Sequence, residues 1–118
     1  MRGVRGAITV DENTEKAIGD AARKLISVML SENNFSIEDI ASITFTVTHD
    51  LNAAFPAAAV RKLAGFSLVP MICALEIDVP GSLKHCIRVL MLVNTGAGQS
   101  DIKHVYLNGA ARLRPDLT

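Results

Sequence analysis

The chain has 118 residues, of which 49% are hydrophobic, 20% charged and 4% aromatic. That is material for one domain over 1–118, expected to bury roughly two-thirds of its unfolded surface, and it excludes a second. Twelve basic and twelve acidic side chains cancel, so there is no broad positive field for nucleic acid or an anionic membrane.

In chain order, Val4, Gly6, Ile8 and Val10 alternate with Arg5, Ala7 and Thr9, the period of a half-buried strand. From Thr14 to about Asn33, the residues Ala17, Ile18, Ala21, Ala22, Leu25, Ile26, Met29 and Leu30 recur at helical spacing, with Glu15 near the positive end of the dipole. Ser36 and Asp39 form a variant capping box that predicts a short helix, and Ile43 to Thr48 is a β-branched, aromatic run that predicts a strand. Pro56 and Gly65 bracket a helix over 56–64 with Val60 and Leu63 facing inward. Val69 to Val79 and His85 to Thr95 read as strands joined by a Pro-Gly-Ser loop, followed by a turn at 96–98 and a last strand at 103–107. Residues 112–116 read as an extended tail, because Pro115 disfavours helix before it.

These elements predict the α+β class, a mixed five-stranded sheet with helices on one face. Ile87 to Val93 is apolar on both faces of its strand, so the other sheet face needs a cover, and self-association is the simplest one. The longest apolar stretches, such as 86–93, are broken by Arg88 and fall short of the roughly 18 to 20 residues of a membrane span. The N-terminal Met-Arg-Gly-Val-Arg-Gly-Ala has no apolar core of a signal peptide, which predicts a soluble cytoplasmic chain with reduced cysteines. Cys73, Cys86 and three scattered histidines offer no metal-ligand spacing, so no structural metal is expected.

Arg88 stands among apolar neighbours in Cys-Ile-Arg-Val-Leu-Met-Leu-Val, which predicts a guanidinium withdrawn from bulk water and costly unless paired. Glu76, in the similar setting Ile-Cys-Ala-Leu-Glu-Ile, lies one strand away across the Pro-Gly-Ser loop and can meet it. A satisfied internal ion pair accounts for these two as well as a functional role does. Arg5, Arg112 and Arg114 add further guanidinium groups that one carboxylate cannot neutralise. Taken together they suggest a small dianionic ligand, although each tail arginine alone reads as a solvated charge.

Cys73 and Glu76 differ by an odd number and so point to opposite faces of an unbulged strand; if both serve ligands, the pocket lies between subunits. Cys73 and Cys86 read as core thiols rather than nucleophiles. No Ser-His-Asp spacing or phosphate loop is present, and Gly96-Ala97-Gly98 is too weak to count as one. His49 and His104 read as turn or surface histidines, and Tyr106 as either a packing residue or a phenol donor.

The segments Arg2-Gly3-Val4-Arg5-Gly6-Ala7, Thr48-His49-Asp50-Leu51, Ala54-Phe55-Pro56-Ala57, Arg61, Cys73-Ala74-Leu75-Glu76, Cys86-Ile87-Arg88-Val89, His104-Val105-Tyr106-Leu107 and Leu113-Arg114-Pro115-Asp116-Leu117 resemble the monofunctional chorismate mutases of the small trimeric type. The resemblance runs through nearly the whole chain in order. It implies a pseudo-α/β-barrel homotrimer, with sheets inside, helices outside and active sites at the subunit interfaces. It also implies conversion of chorismate to prephenate by a Claisen rearrangement, on the route to phenylalanine and tyrosine, with no cofactor.

By the same resemblance Arg88 donates to the ether oxygen and Glu76 accepts the ring hydroxyl, with Cys73 close by. Arg5 and Tyr106 bind the enolpyruvyl carboxylate, Phe55 packs on the ligand, and Arg61, Leu113 and Arg114 line the entrance. Pro115 and the tail after it are implied to order when ligand binds. Ala58 stands where some relatives carry a lysine, and Ile72 where they carry a polar residue. The competing expectations are a non-catalytic carboxylate-binding trimer and an imine or enamine deaminase on a similar fold.

Overall fold

The computed structural model describes residues 1–113. Its sheet has five strands: β1 (Arg2–Thr9), β2 (Ile40–Val47), β3 (Met71–Leu75), β4 (Cys86–Val93) and β5 (Val105–Leu107). Their spatial order is β3-β2-β4-β1-β5. β4 pairs antiparallel with β1 and β2, whereas β5 runs parallel to β1 and β3 parallel to β2. The expected mixed sheet is therefore present, with both α-helices on one face.

Helix α1 (Glu15–Asn33) starts where the sequence places it. Thr14 is its N-cap, and the threonine hydroxyl accepts the amide of Ala17 at 3.1 Å, an arrangement worth ~1 kcal/mol over alanine. Ile18, Ala22, Leu25, Ile26 and Met29 form the stripe that packs on the sheet, each at or near zero exposure. Gly6 of β1 makes this approach possible: a Cβ there would lie 2.4 Å from the Met29 sulfur. The core joins α1 to Val4, Ile8, Ile43, Phe45, Ile87, Val89, Met91 and Val93, and then to Val60 and Ala57 of helix α2 (Pro56–Arg61).

Three expectations are corrected in extent. The helix opened by Pro56 stops at Arg61, with Lys62 as its cap, so Leu63 sits in the following turn and is only partly buried. The capping box at Ser36 closes a single 3-10 turn, Ile37–Asp39, in which the Asp39 carboxylate accepts both the amide and the hydroxyl of Ser36 at 3.1 and 3.0 Å. β3 covers five residues rather than the eleven of 69–79. Its partner β2 ends at Val47, so the ladder stops with the bond from Glu76 N to Val47 O at 2.9 Å.

The chain then turns at Val79-Pro80-Gly81-Ser82, where Gly81 has φ +82° and the Ser82 amide donates to the Val79 carbonyl at 3.0 Å. Proline followed by a left-handed glycine is the pattern of a type II turn. The tail expectation is also overturned for Arg112 and Leu113, because Asn108–Leu113 is a 3-10 helix. Asn108 adopts φ +56° and its side-chain amide donates to the Thr9 carbonyl at 3.2 Å, while the Gly109 amide donates to the Thr9 hydroxyl at 2.9 Å. These bonds to β1 wind the segment, outweighing the local bias to extension. Arg114 and Pro115 lie outside the described residues.

Candidate active site

Strand register sorts the side chains into two faces. The pairings Ala74↔Thr46, Thr46↔Arg88, Arg88↔Ala7 and Ala7↔Tyr106 form one row across all five strands. The adjacent row runs Ile72, Thr44, Leu90, Arg5. Paired residues share a face, and this face is the one away from α1, where Leu90 is 45% and Ile72 65% exposed. Arg5, Arg88 and Tyr106 therefore stand on one open surface within about two strand spacings, roughly 10 Å.

Arg88 is not withdrawn from water as its apolar neighbours suggested: its side chain is 49% exposed. Ile87 and Val89 are buried, but they point to the opposite face. Glu76 is not on an adjacent strand either, since β2 lies between β3 and β4. The two side chains still converge. Glu76, 23% exposed, reaches across β2 so that its Oε2 lies 4.0 Å from Arg88 Nε. That distance is too long for a hydrogen bond, so Glu76 does not take up the guanidinium's donors. Between them the Thr46 hydroxyl donates to Glu76 Oε2.

Leu113 and Tyr106 pack around Ala7, Cys86 and Ala110 at one end of this face. Cys86 is buried there, and loss of solvation pushes its thiol pKa up, which makes it the inert core thiol expected. Cys73 is half-buried against the helix-side core, on the face opposite Glu76, as the odd spacing requires. It shares a cleft of about 220 Å³ with Phe55, Arg61, Ala58 and Ile72, between α2 and the edge of β3. Phe55 is 72% exposed there. The residues singled out in the sequence thus fall into two groups: Arg5, Glu76, Arg88, Tyr106 and Leu113 on the open face, and Phe55, Arg61 and Cys73 at the β3 edge.

The start of β4, two residues before Arg88, is held by a clasp. The Thr48 hydroxyl donates to Asp50 Oδ1, the His85 amide donates to both Asp50 oxygens at 3.1 Å, and the Cys86 amide donates to the Thr48 hydroxyl at 3.0 Å. His85 itself is left-handed at φ +51°. Burial alone would raise the Asp50 pKa, but the bonds from Thr48 and His85 hold it below the usual carboxylate value. His49 has a carboxylate neighbour that the sequence did not reveal, Asp78 at 3.3 Å. The His104 ring accepts the Arg5 amide at 2.9 Å, tying β1 to the start of β5. A larger hollow, about 990 Å³, lies between α1, α2, the 51–55 loop and β3, and Phe55 and Cys73 line it as well. Arg5 and Arg88 do not line it, and its Arg23 is bonded to Asp20. Among the described residues no group of three His, Cys, Asp or Glu side chains could hold a metal ion, and no helix is long and apolar enough to cross a membrane.

The family model described as chorismate mutase type I matches residues 1–117. The chain belongs to this family. The chorismate mutase AroH of Thermus thermophilus is 52% identical over 99% of this chain and 96% of its own length. That of Bacillus subtilis (strain 168) is 46% identical over 100% and 93%. The solved structure of a chorismate mutase from Clostridium thermocellum superposes with a TM-score of 0.92, covering 95% of this chain and 99% of that one at 51% identity. The chain is accordingly a chorismate mutase, an isomerase that converts chorismate to prephenate in aromatic amino acid biosynthesis.

Within this chorismate mutase, the sequence points to no role for Thr46, and it marks Thr48 and Asp50 only as part of the segment Thr48-His49-Asp50-Leu51 that carries the family resemblance. A threonine in a strand reads as β-propensity, and Thr-His-Asp as a turn. The Thr-x-Asp spacing was the only local signal of the clasp.

Proposed function

We propose that Arg88 and Glu76 catalyse the rearrangement and that the remaining residues hold the substrate as a reactive conformer. In the reaction the ether C–O bond breaks while a new C–C bond forms within the same molecule. No group leaves and no proton is transferred in the bond-making step. The protein needs to select the folded conformer and to oppose the charge that develops, negative on the ether oxygen and positive on the ring. Arg88 supplies the N–H donors to the oxygen. Glu76 accepts the ring hydroxyl, with Cys73 near the same group, and faces the positive half.

Arg5 and Tyr106 bind the enolpyruvyl carboxylate, a bidentate match for a guanidinium. Phe55 packs on the ligand, and Arg61, Leu113 and Arg114 guard the entrance and assist the ring carboxylate. No nucleophile, metal or redox cofactor has a part in this scheme. One observation carries the reading: Arg88 and Glu76 converge as a loose ion pair, with 4.0 Å between Nε and Oε2, on a surface that Arg5 and Tyr106 share.

The second part of the proposal is a homotrimer with sites at its interfaces. Two features support it. The open face exposes Leu90 and Ile72 around the charged groups, a patch that needs a cover. Phe55, Arg61 and Cys73 lie in a separate cleft at the β3 edge, so a second copy would bring the two groups together.

The test follows chorismate by its ultraviolet absorbance in wild type and Arg88→Ala, with assembly measured by sedimentation. A loss of about a hundredfold or more with the trimer intact is expected, the scale of removing a donor to a developing oxyanion. Near-normal turnover by Arg88→Ala would refute the assigned role.

A further inference from the structure

Glu76 is the first residue beyond β3, where the ladder ends with its own amide bonded to Val47. From there the chain runs through exposed residues 77–82, so little backbone structure constrains the carboxylate. A glutamate in that position, with a guanidinium within reach, would close into a bidentate ion pair. That arrangement would consume the donors that Arg88 needs and withdraw the carboxylate from the ring. Instead Glu76 stops 4.0 Å short of Arg88.

The group that holds it there is Thr46. It is the residue of β2 that pairs with Arg88 on one side and Ala74 on the other, so its side chain rises on the open face between the two. Its hydroxyl donates to Glu76 Oε2, the same oxygen that faces Arg88. We infer that Thr46 is a positioning residue: it anchors one oxygen of Glu76, keeps acid and base apart, and leaves the other oxygen for the substrate. This rests on the reading of Arg88 and Glu76 given above. Because charge on the ring and ether oxygen develops only in the transition state, a misplaced Glu76 lowers kcat more than it weakens binding.

Thr46→Val keeps the shape and the β-branch and removes only the hydroxyl. It is expected to lower kcat by about tenfold, the scale of one hydrogen bond to a charged group, with KM changed by no more than about twofold. Thr46→Ser is expected to restore kcat. In a Glu76→Ala background the valine substitution is expected to cost nothing further, because the group it positions is gone. An unchanged kcat in Thr46→Val beside a crippled Glu76→Ala overturns the role of Thr46 and leaves the active-site reading standing. A full repeat of the loss in the Glu76→Ala background also overturns it, since Thr46 would then act independently of Glu76. Full activity in Glu76→Ala overturns the active-site reading beneath it.

Discussion

The two faces of β4 are made by alternate residues of one strand, and they differ in what completes them. Ile87, Val89, Met91 and Val93 are sealed by α1 and α2 of their own chain. Arg88 and Leu90, one step along in each case, stay half-exposed, on a face that among the described residues is packed over only at the end around Ala7 and Cys86. The first face closes locally and determines whether the chain folds. In the proposal above the second is finished from outside, by substrate and by another copy. Stability and chemistry are therefore written in the same eight residues with almost no overlap.

The strongest way to break this division is to mix two damaged chains. Arg88→Ala removes an open-face residue, and Arg61→Ala a residue of the β3-edge cleft. If each site takes one from each copy, refolding the two together restores about a quarter of the sites by random combination. Recovery no greater than the sum of the separate parents would place both groups of one site in a single chain.

Next in size is a contrast in stability. Ile87→Ala empties a fully buried position and is expected to cost about 2–5 kcal/mol in denaturant unfolding. Arg88→Ala, at a half-exposed site, is expected to stay within about 0.5 kcal/mol of wild type. Equal losses would mean that the open face also carries the fold.

The clasp at Asp50 should give a smaller effect. Asp50→Asn loses a charged acceptor of the Thr48 and His85 bonds, for about 1–3 kcal/mol near neutral pH. Because the Asp50 pKa is depressed in the folded state, its stabilisation is present above the unfolded value and is lost as pH falls below about 4. The variant's stability should accordingly fall less steeply in acid than that of wild type, as thermal melts across pH 2–7 would show; parallel curves would exclude the clasp as the cause. The smallest effect expected is none: with no proton moved in the bond-making step, kcat should be nearly flat around neutrality. A bell-shaped profile there would indicate general acid–base catalysis.

The sequence disclosed what depends on neighbours along the chain. Alternation located the strands, the apolar stripe from Thr14 onward with Glu15 at its start gave α1, and the odd spacing of Cys73 and Glu76 correctly assigned them to opposite faces. It misled where the answer depends on pairing across space. Apolar neighbours made Arg88 look buried, although they belong to the other side of the strand. Strand order is not a local property, so β2 and the hydroxyl of Thr46 could not be foreseen between Glu76 and Arg88. The 3-10 winding at 108–113 depends on Thr9, nearly a hundred residues earlier.

The parallel pairing of β1 with β5 has a consequence for biosynthesis. β1 lies between β4 and β5, so both neighbours of this strand are made only after α1, β2, α2 and β3 have followed it. Through that interval its amides and carbonyls face water or whatever strand edge comes near. Only when β5 emerges can the sheet close. A chain built this way folds late rather than piecemeal, and slowly for its size because its strand contacts span so much sequence.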